Sequence, residues 1–301
     1  MAEAASRKSA VRLTYDTHAA DYASRHRMQT GNLRNLAQRL LDSRRLPERI
    51  LDVGAGAGST ILDIVADDSW TGATVFPTSS TVVVTDLSSD ALRERQPTQS
   101  LDLPAVQCDA EWLPFADASF ELVYANSVLH WVRLASGRFG FQHAVNEIVR
   151  VTQPRGRVGV SISGVGTAAR FLRAYRHVLH ELQRTGLVES LRPHDPIGSM
   201  ELVDVVTAFE VAGATIVEAE LVYEPVIYPQ SADYVADALA YGYDVFLAPV
   251  APEHHIAAWY AITEAFVAEV GENTYVHDQY MIYVVAEPVP RHAVLQEGVV
   301  G

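Results

Sequence analysis

The chain has 301 residues, a formal charge of −14, and 49% hydrophobic against 20% charged residues, a balance that supports a globular fold with a sizeable core. The acidic excess and the lack of any Lys/Arg cluster weigh against nucleic acid and anionic membrane surfaces as partners, and no run of about 18 apolar residues offers a membrane span. The single cysteine, Cys108, rules out an internal disulfide and a cysteine-based zinc site, so no metal is expected.

In chain order, residues 1–10 read as disordered, and the start lacks the apolar core of a signal peptide, which favours the cytoplasm. Residues 11–46 read as a helical cap with Leu33, Leu36, Leu40 and Leu41 on one stripe, ended by Pro47. Strand-like runs follow at Ile50–Val53, Val82–Thr85, Val106–Cys108, Leu122–Ala125 and Val158–Ile162, alternating with helices at Ser59–Val65, Ser89–Arg95 and Phe141–Val151. This alternation predicts an α/β fold: a Rossmann-like, doubly wound, mostly parallel sheet spanning a core of residues 47–164. Asp67–Thr81, rich in Ser and Thr, reads as a surface insertion. Residues 165–227 are expected to hold the remaining core helices (167–185 and Met200–Ala212) and a sixth strand at Ala214–Val222. Residues 228–270, helical and aromatic, read as a lid insertion. Residues 271–287 hold the final strand at Gln279–Ala286, and 288–301 a loose tail. The sheet thus counts seven strands, with a helical lid and an N-terminal helical cap.

The chemistry gathers at the strand ends. Leu51-Asp52-Val53-Gly54-Ala55-Gly56-Ala57-Gly58 is a strand running into glycines at every second position. Glycines clear side chains from the turn, reach positive φ, and let a ligand approach main-chain N–H groups at a helix start. The spacing G-x-G-x-G departs from the dinucleotide pattern G-x-G-x-x-G. Asp86 ends the second strand, where a carboxylate can accept from a ribose diol or simply cap a helix. Asp109 ends the third strand, where it can accept from an adenine amino group while the Ala110 N–H donates to a ring nitrogen; a capping acid is the alternative. Cys108 reads as a small buried hydrophobe. Asn126 and Ser127, at the fourth strand's exit, face the reactive end of a bound cofactor. His130 is the candidate catalytic base, or else a structural histidine with Trp131 packed beneath it.

Together these motifs resemble the class I S-adenosylmethionine (SAM) methyltransferases, in particular the small-molecule branch called methyltransferase type 11. The resemblance rests on Leu51–Gly58, Val83–Leu87, Gln107–Phe115 with Ala116–Val123, and Glu147–Arg157, where the family's Leu-x-Pro-Gly-Gly turn stands as Thr152-Gln153-Pro154-Arg155-Gly156. It implies SAM as cofactor, held by Asp52, Gly54, Ala55, Gly56, Gly58, Asp86, Leu87, Asp109, Ala110, Asn126 and Ser127. Tyr15-Asp16-Thr17-His18-Ala19-Ala20-Asp21-Tyr22 is similar to the family's helix that closes over the cofactor, which implies that Tyr15 or Tyr22 contacts its sulfonium or carboxylate end. Leu129-His130-Trp131-Val132 looks like the matching loop of carboxyl methyltransferases.

The expected activity is methyl transfer to a small-molecule hydroxyl, carboxyl, amine or carbon in specialised biosynthesis, and a homo-oligomer is compatible with it. A carboxylate acceptor would want an arginine, with Arg133, Arg170 and Arg173 as candidates. Other acceptors would use His130, His254, His255 or a lid tyrosine. The lid aromatics (Tyr228, Tyr234, Tyr241, Tyr243, Phe246, Trp259, Tyr260, Phe266) point to an apolar or aromatic acceptor, although many must form the lid's own core. The alternatives are a SAM-fold enzyme repurposed as a non-methylating cyclase or decarboxylase, and a non-catalytic SAM sensor.

Overall fold

The computed structural model describes residues 7–17, 27–41, 47–66, 80–94, 103–188 and 196–290. Tyr22, residues 67–79 of the insertion and the tail beyond 290 lie outside the described residues. The elements are helix α1 (7–17), α2 (Arg27–Leu40), β1 (Arg49–Val53), α3 (Ile61–Ala66), β2 (Thr81–Asp86), α4 (Ser89–Arg93), β3 (Ala105–Gln107), β4 (Phe120–Asn126) and α5 (Leu129–Val151). Then come β5 (Thr152–Ser163), α6 (Ala169–Arg184), α7 (Leu202–Val211), β6 (Ala214–Tyr223), β7 (Val226–Tyr228), α8 (Ser231–Leu247), α9 (His255–Val270), β8 (Tyr275–His277) and β9 (Tyr280–Pro288).

Seven strands form one sheet in the order β3-β2-β1-β4-β5-β9-β6. β1 through β5 pair in parallel, and β9 runs antiparallel between β5 and β6. The order reverses between β1 and β4, so the exits of these two strands open a crevice at the sheet's carboxyl edge.

The central strands are apolar on both faces because helices cover both. Leu51, Val53, Val123, Ala125, Val158 and Val160 pack on one face with α5 and α7. The alternate residues Ile50, Leu122, Tyr124, Tyr283 and Val285 pack on the other with α2 and α3. A third cluster stands apart from the sheet and joins α6, α8 and α9 with β7 and β8. Phe171 lies at its centre, with the rings of Tyr234, Phe246, Trp259 and Phe266 within 6.3 Å.

Four expectations need correction. Residues 7–10, expected to be disordered, are helical, and Lys8 and Tyr15 anchor that helix on the sheet's edge. The helix expected at Phe141 begins at Leu129, with a kink at Gly137 (φ 70°) whose backbone breaks the apolar period that marks its second half. α6, expected among the sheet-flanking helices, turns its stripe of Phe171, Leu172, Tyr175, Val178 and Leu179 toward α8 and α9. The segment read as a helical lid is two helices separated by a stretch holding Pro249 and Pro252, and a two-stranded ribbon of β7 and β8 completes that cluster.

Candidate active site

The glycine corner follows β1. Gly54 needs to be glycine twice over: its φ is +72°, and a Cβ there would lie 2.2 Å from a Val128 methyl. Several of the corner's amide groups already have protein partners. The Ala55 N–H donates to the Thr85 carbonyl at 2.8 Å and the Gly56 N–H to Asp86 Oδ2 at 2.9 Å. The Thr60 N–H goes to Asp63, and the Ile61 N–H to the Tyr124 hydroxyl at 3.0 Å. Tyr124 donates in turn to Asp52 Oδ2 at 2.7 Å, and Asp52 is buried. Asp52 thus ties the end of β1 to the start of α3.

One cleft lies over the exits of β1, β2 and β4. Tyr15, Gly54, Gly56, Asp86, Leu87, Asp109, Ala110, Asn126 and Ser127, all named from the sequence, line it. Asp52, Ala55 and Gly58 line a smaller recess beside it, which shares Gly54 and Asn126 with the cleft. Asp86 is locked, with Oδ1 accepting from the Ser88 N–H at 2.8 Å. Burial raises its pKa, and the amide hydrogen bonds from Ser88, Gly56 and Leu87 oppose that rise. Asn126 donates to the Gln29 carbonyl at 2.9 Å and accepts from Ser161 at 2.7 Å. Ser127 holds a positive φ of 57°, strained for a non-glycine residue, with its N–H on Ser161 Oγ and its Oγ accepting from Asn32.

Spacing gave no sign of the cleft's outer wall. Lys8 in α1 places its ammonium 2.6 Å from both Asp109 Oδ2 and Glu111 Oε1. Burial pulls the Lys8 pKa down, but the two carboxylates outweigh it and the net shift is upward. Asp16 accepts from Ser88 Oγ, and Tyr15 meets the edge of Trp131 at 6.0 Å. These three contacts fasten α1 across the cleft. Cys108 also lines it, but burial pushes its thiol up to about 11, which leaves no thiolate near neutral pH.

His130 lies beyond the cleft, in a second cavity between the sheet and the aromatic cluster. Tyr15, Ser127 and Trp131 line both spaces and form the wall between them. Burial lowers the His130 pKa to about 3, so its imidazole is neutral at physiological pH. Gln29, Asn32, Tyr234, His277 and Gln279 join it around the cavity. His277 and the α2 residues were not singled out, because no local pattern links four distant segments. His254, His255, Arg133, Arg170 and Arg173 line neither space. Tyr234 and Phe246 line the cavity, whereas Trp259 and Phe266 pack in the cluster and Tyr260 is exposed. The side chains of Tyr241 and Tyr243 lie outside the described residues. Among the described residues, no group of three or more His, Cys, Asp or Glu side chains is arranged to hold a metal ion.

The geometry agrees with comparisons to known proteins. Residues 51–160 match the family model described as a methyltransferase domain. Malonyl-[acyl-carrier protein] O-methyltransferase of Geobacter sulfurreducens is 28% identical over 178 residues, covering 58% of this chain and 61% of that protein. The same-named protein of Legionella pneumophila is 28% identical over 204 residues, covering 64% and 66%. The chain therefore spans less than two thirds of the length of these relatives. In fold it is similar to a structure of loganic acid methyltransferase with SAH, with a TM-score of 0.55 at 14% identity, covering 93% of this chain and 96% of that one.

Proposed function

We propose that the chain, whose residues 51–160 match the methyltransferase domain family, is a class I SAM-dependent methyltransferase that transfers the methyl group of SAM to a small, largely apolar or aromatic acceptor. The observation that carries this reading is the pair of spaces sharing Tyr15, Ser127 and Trp131 as a common wall, one lined by the cofactor motifs and one by the aromatic cluster. The residues suit the cofactor. Gly54 lets the turn pack against Val128 at the cleft wall, Asp86 presents an oriented carboxylate, and Asp109 with Ala110 lines the same cleft.

SAM supplies an activated methyl on a sulfonium. The chain's task is alignment and exclusion of water. Asp86 and Asp109 hold the nucleoside side, and Gly54, Asn126 and Ser127 the amino-acid side. Tyr15 and Trp131 flank the passage between the spaces, and α1 shields it. His130 orients the acceptor from the far wall; its neutral ring can accept a proton but is a weak base. A lid formed by α6, α8 and α9 would set the choice of acceptor.

Titration calorimetry with SAM tests the reading. Binding is expected for the intact chain, with Asp86→Ala weakening it roughly hundredfold, about 2.7 kcal/mol. No heat and no thermal stabilisation at saturating SAM would refute the proposal, as would an unchanged affinity for the variant.

A further inference from the structure

The second cavity carries information about the acceptor that the cofactor cleft does not. Three polar atoms of residues lining it are buried without a hydrogen-bond partner among the described residues: His130 Nδ1, His277 Nδ1, and Oε1 of Gln29, which also lines the recess beside the cofactor cleft. A buried polar group left unmade costs about 1–3 kcal/mol, so three around one cavity are a marked departure unless a ligand completes them. The two histidines reach the cavity wall from distant segments, His130 from the first turn of α5 and His277 from β8. His277 is held in place by its ring stacked on Tyr234, with centroids 4.8 Å apart and planes at 28°.

The cavity's charge is equally specific. No Lys, Arg, Asp or Glu lines it among the described residues. The arginines expected to receive a carboxylate are engaged elsewhere or absent from the wall: Arg170 pairs with Asp278 at 3.5 Å, Arg173 with Glu269 at 3.1 Å, and Arg133 does not reach it. Burial holds both imidazoles neutral, with His277 lowered to about 4. None of the described lining residues offers a carboxylate a counter-ion, and an unpaired charge is strongly disfavoured in a protein interior. A hydroxyl, in contrast, is matched by a neutral imidazole, which offers one acceptor and one donor nitrogen.

Building on the methyltransferase reading, on which it rests, we propose that this cavity takes an uncharged, hydroxyl-bearing acceptor on an apolar or aromatic frame, received between His130 and His277, and that it discriminates against carboxylates. The acceptor oxygen bonds to the methyl carbon as the carbon–sulfur bond breaks, and that bonding pair leaves on sulfur. The hydroxyl proton becomes strongly acidic as the new bond forms, so a weakly basic imidazole suffices to take it and pass it to solvent. His277 is then a specificity-determining residue that the cofactor motifs give no hint of.

The test uses the full chain saturated with S-adenosylhomocysteine and two probes on the same ring position, naphthol and naphthoate, titrated at neutral pH. Naphthol is expected to bind at least roughly tenfold tighter than naphthoate. His277→Phe keeps a ring against Tyr234 and is expected to weaken naphthol roughly tenfold while leaving S-adenosylhomocysteine affinity unchanged. Naphthoate binding as tightly as naphthol, neither probe binding, or naphthol indifferent to H277F would overturn the proposal. The wild-type comparison decides even if the variant fails to fold. Failure of S-adenosylhomocysteine itself to bind would instead strike the methyltransferase reading beneath it.

Discussion

The cofactor cleft and the second cavity share a wall yet are built on opposite principles. In the cleft the polar groups are spoken for: Asp86 is held by Gly56 and Ser88, Asn126 by Gln29 and Ser161, and Lys8 by Asp109 and Glu111. In the cavity, His130 and His277 each leave a buried atom unpaired among the described residues. A site for one fixed cofactor can be preorganised by the protein's own hydrogen bonds. A site for an acceptor keeps unmet bonds that only the correct partner closes, and that is a source of selectivity. The two regions also differ in support, since the cleft stands on the sheet and the cavity leans on a separate aromatic cluster.

Separating the two supports should give the largest effect. Phe171→Ala removes the ring at the centre of the aromatic cluster and is expected to cost about 3–5 kcal/mol in chemical denaturation. SAM affinity of the folded variant should stay within about twofold, because the cluster does not build the cleft. A proportional loss of SAM affinity would show that the regions act as one unit. Next comes acid sensitivity. A buried neutral histidine with a depressed folded pKa gives stability that is present above its unfolded pKa of 6.5 and is lost as pH falls toward about 3 for His130 and about 4 for His277. Each contributes a slope of up to about 1.4 kcal/mol per pH unit in that window. H277F should flatten this loss by one group in pH-dependent unfolding. The smallest effect concerns the sheet alone. Arg155 sits at φ 67°, where the family pattern has glycine, so Arg155→Gly should raise stability by about 1 kcal/mol with both ligand sites unchanged.

Local periodicity carried most of the fold into view. The strand runs Ile50–Val53, Val82–Thr85 and Val158–Ile162 each fall inside an observed strand, because a sheet covered on both faces demands unbroken apolar runs. The cleft residues were legible for the same reason: a glycine turn and strand-end acids are local signals. His277, Gln29 and Asn32 were not, since they meet only after β8 and α2 have been placed on either side of the sheet's edge. The start of α5 was missed because Gly137 interrupts its pattern, and the bond from Tyr124 to Asp52 had no local signal.

The ion triad at the cleft's rim has a practical side, because Lys8 is the only lysine in the chain. Its ε-amine is thus the single side-chain target for amine-selective acylation. That amine is one-quarter exposed and clasped by two carboxylates, so its acylation rate reports how often α1 lifts from the cleft. Acylation would also remove the positive charge that separates Asp109 from the buried Glu111. Two anions would then face each other across the rim, and one mass-resolved adduct would mark molecules whose α1 has lost its fastening.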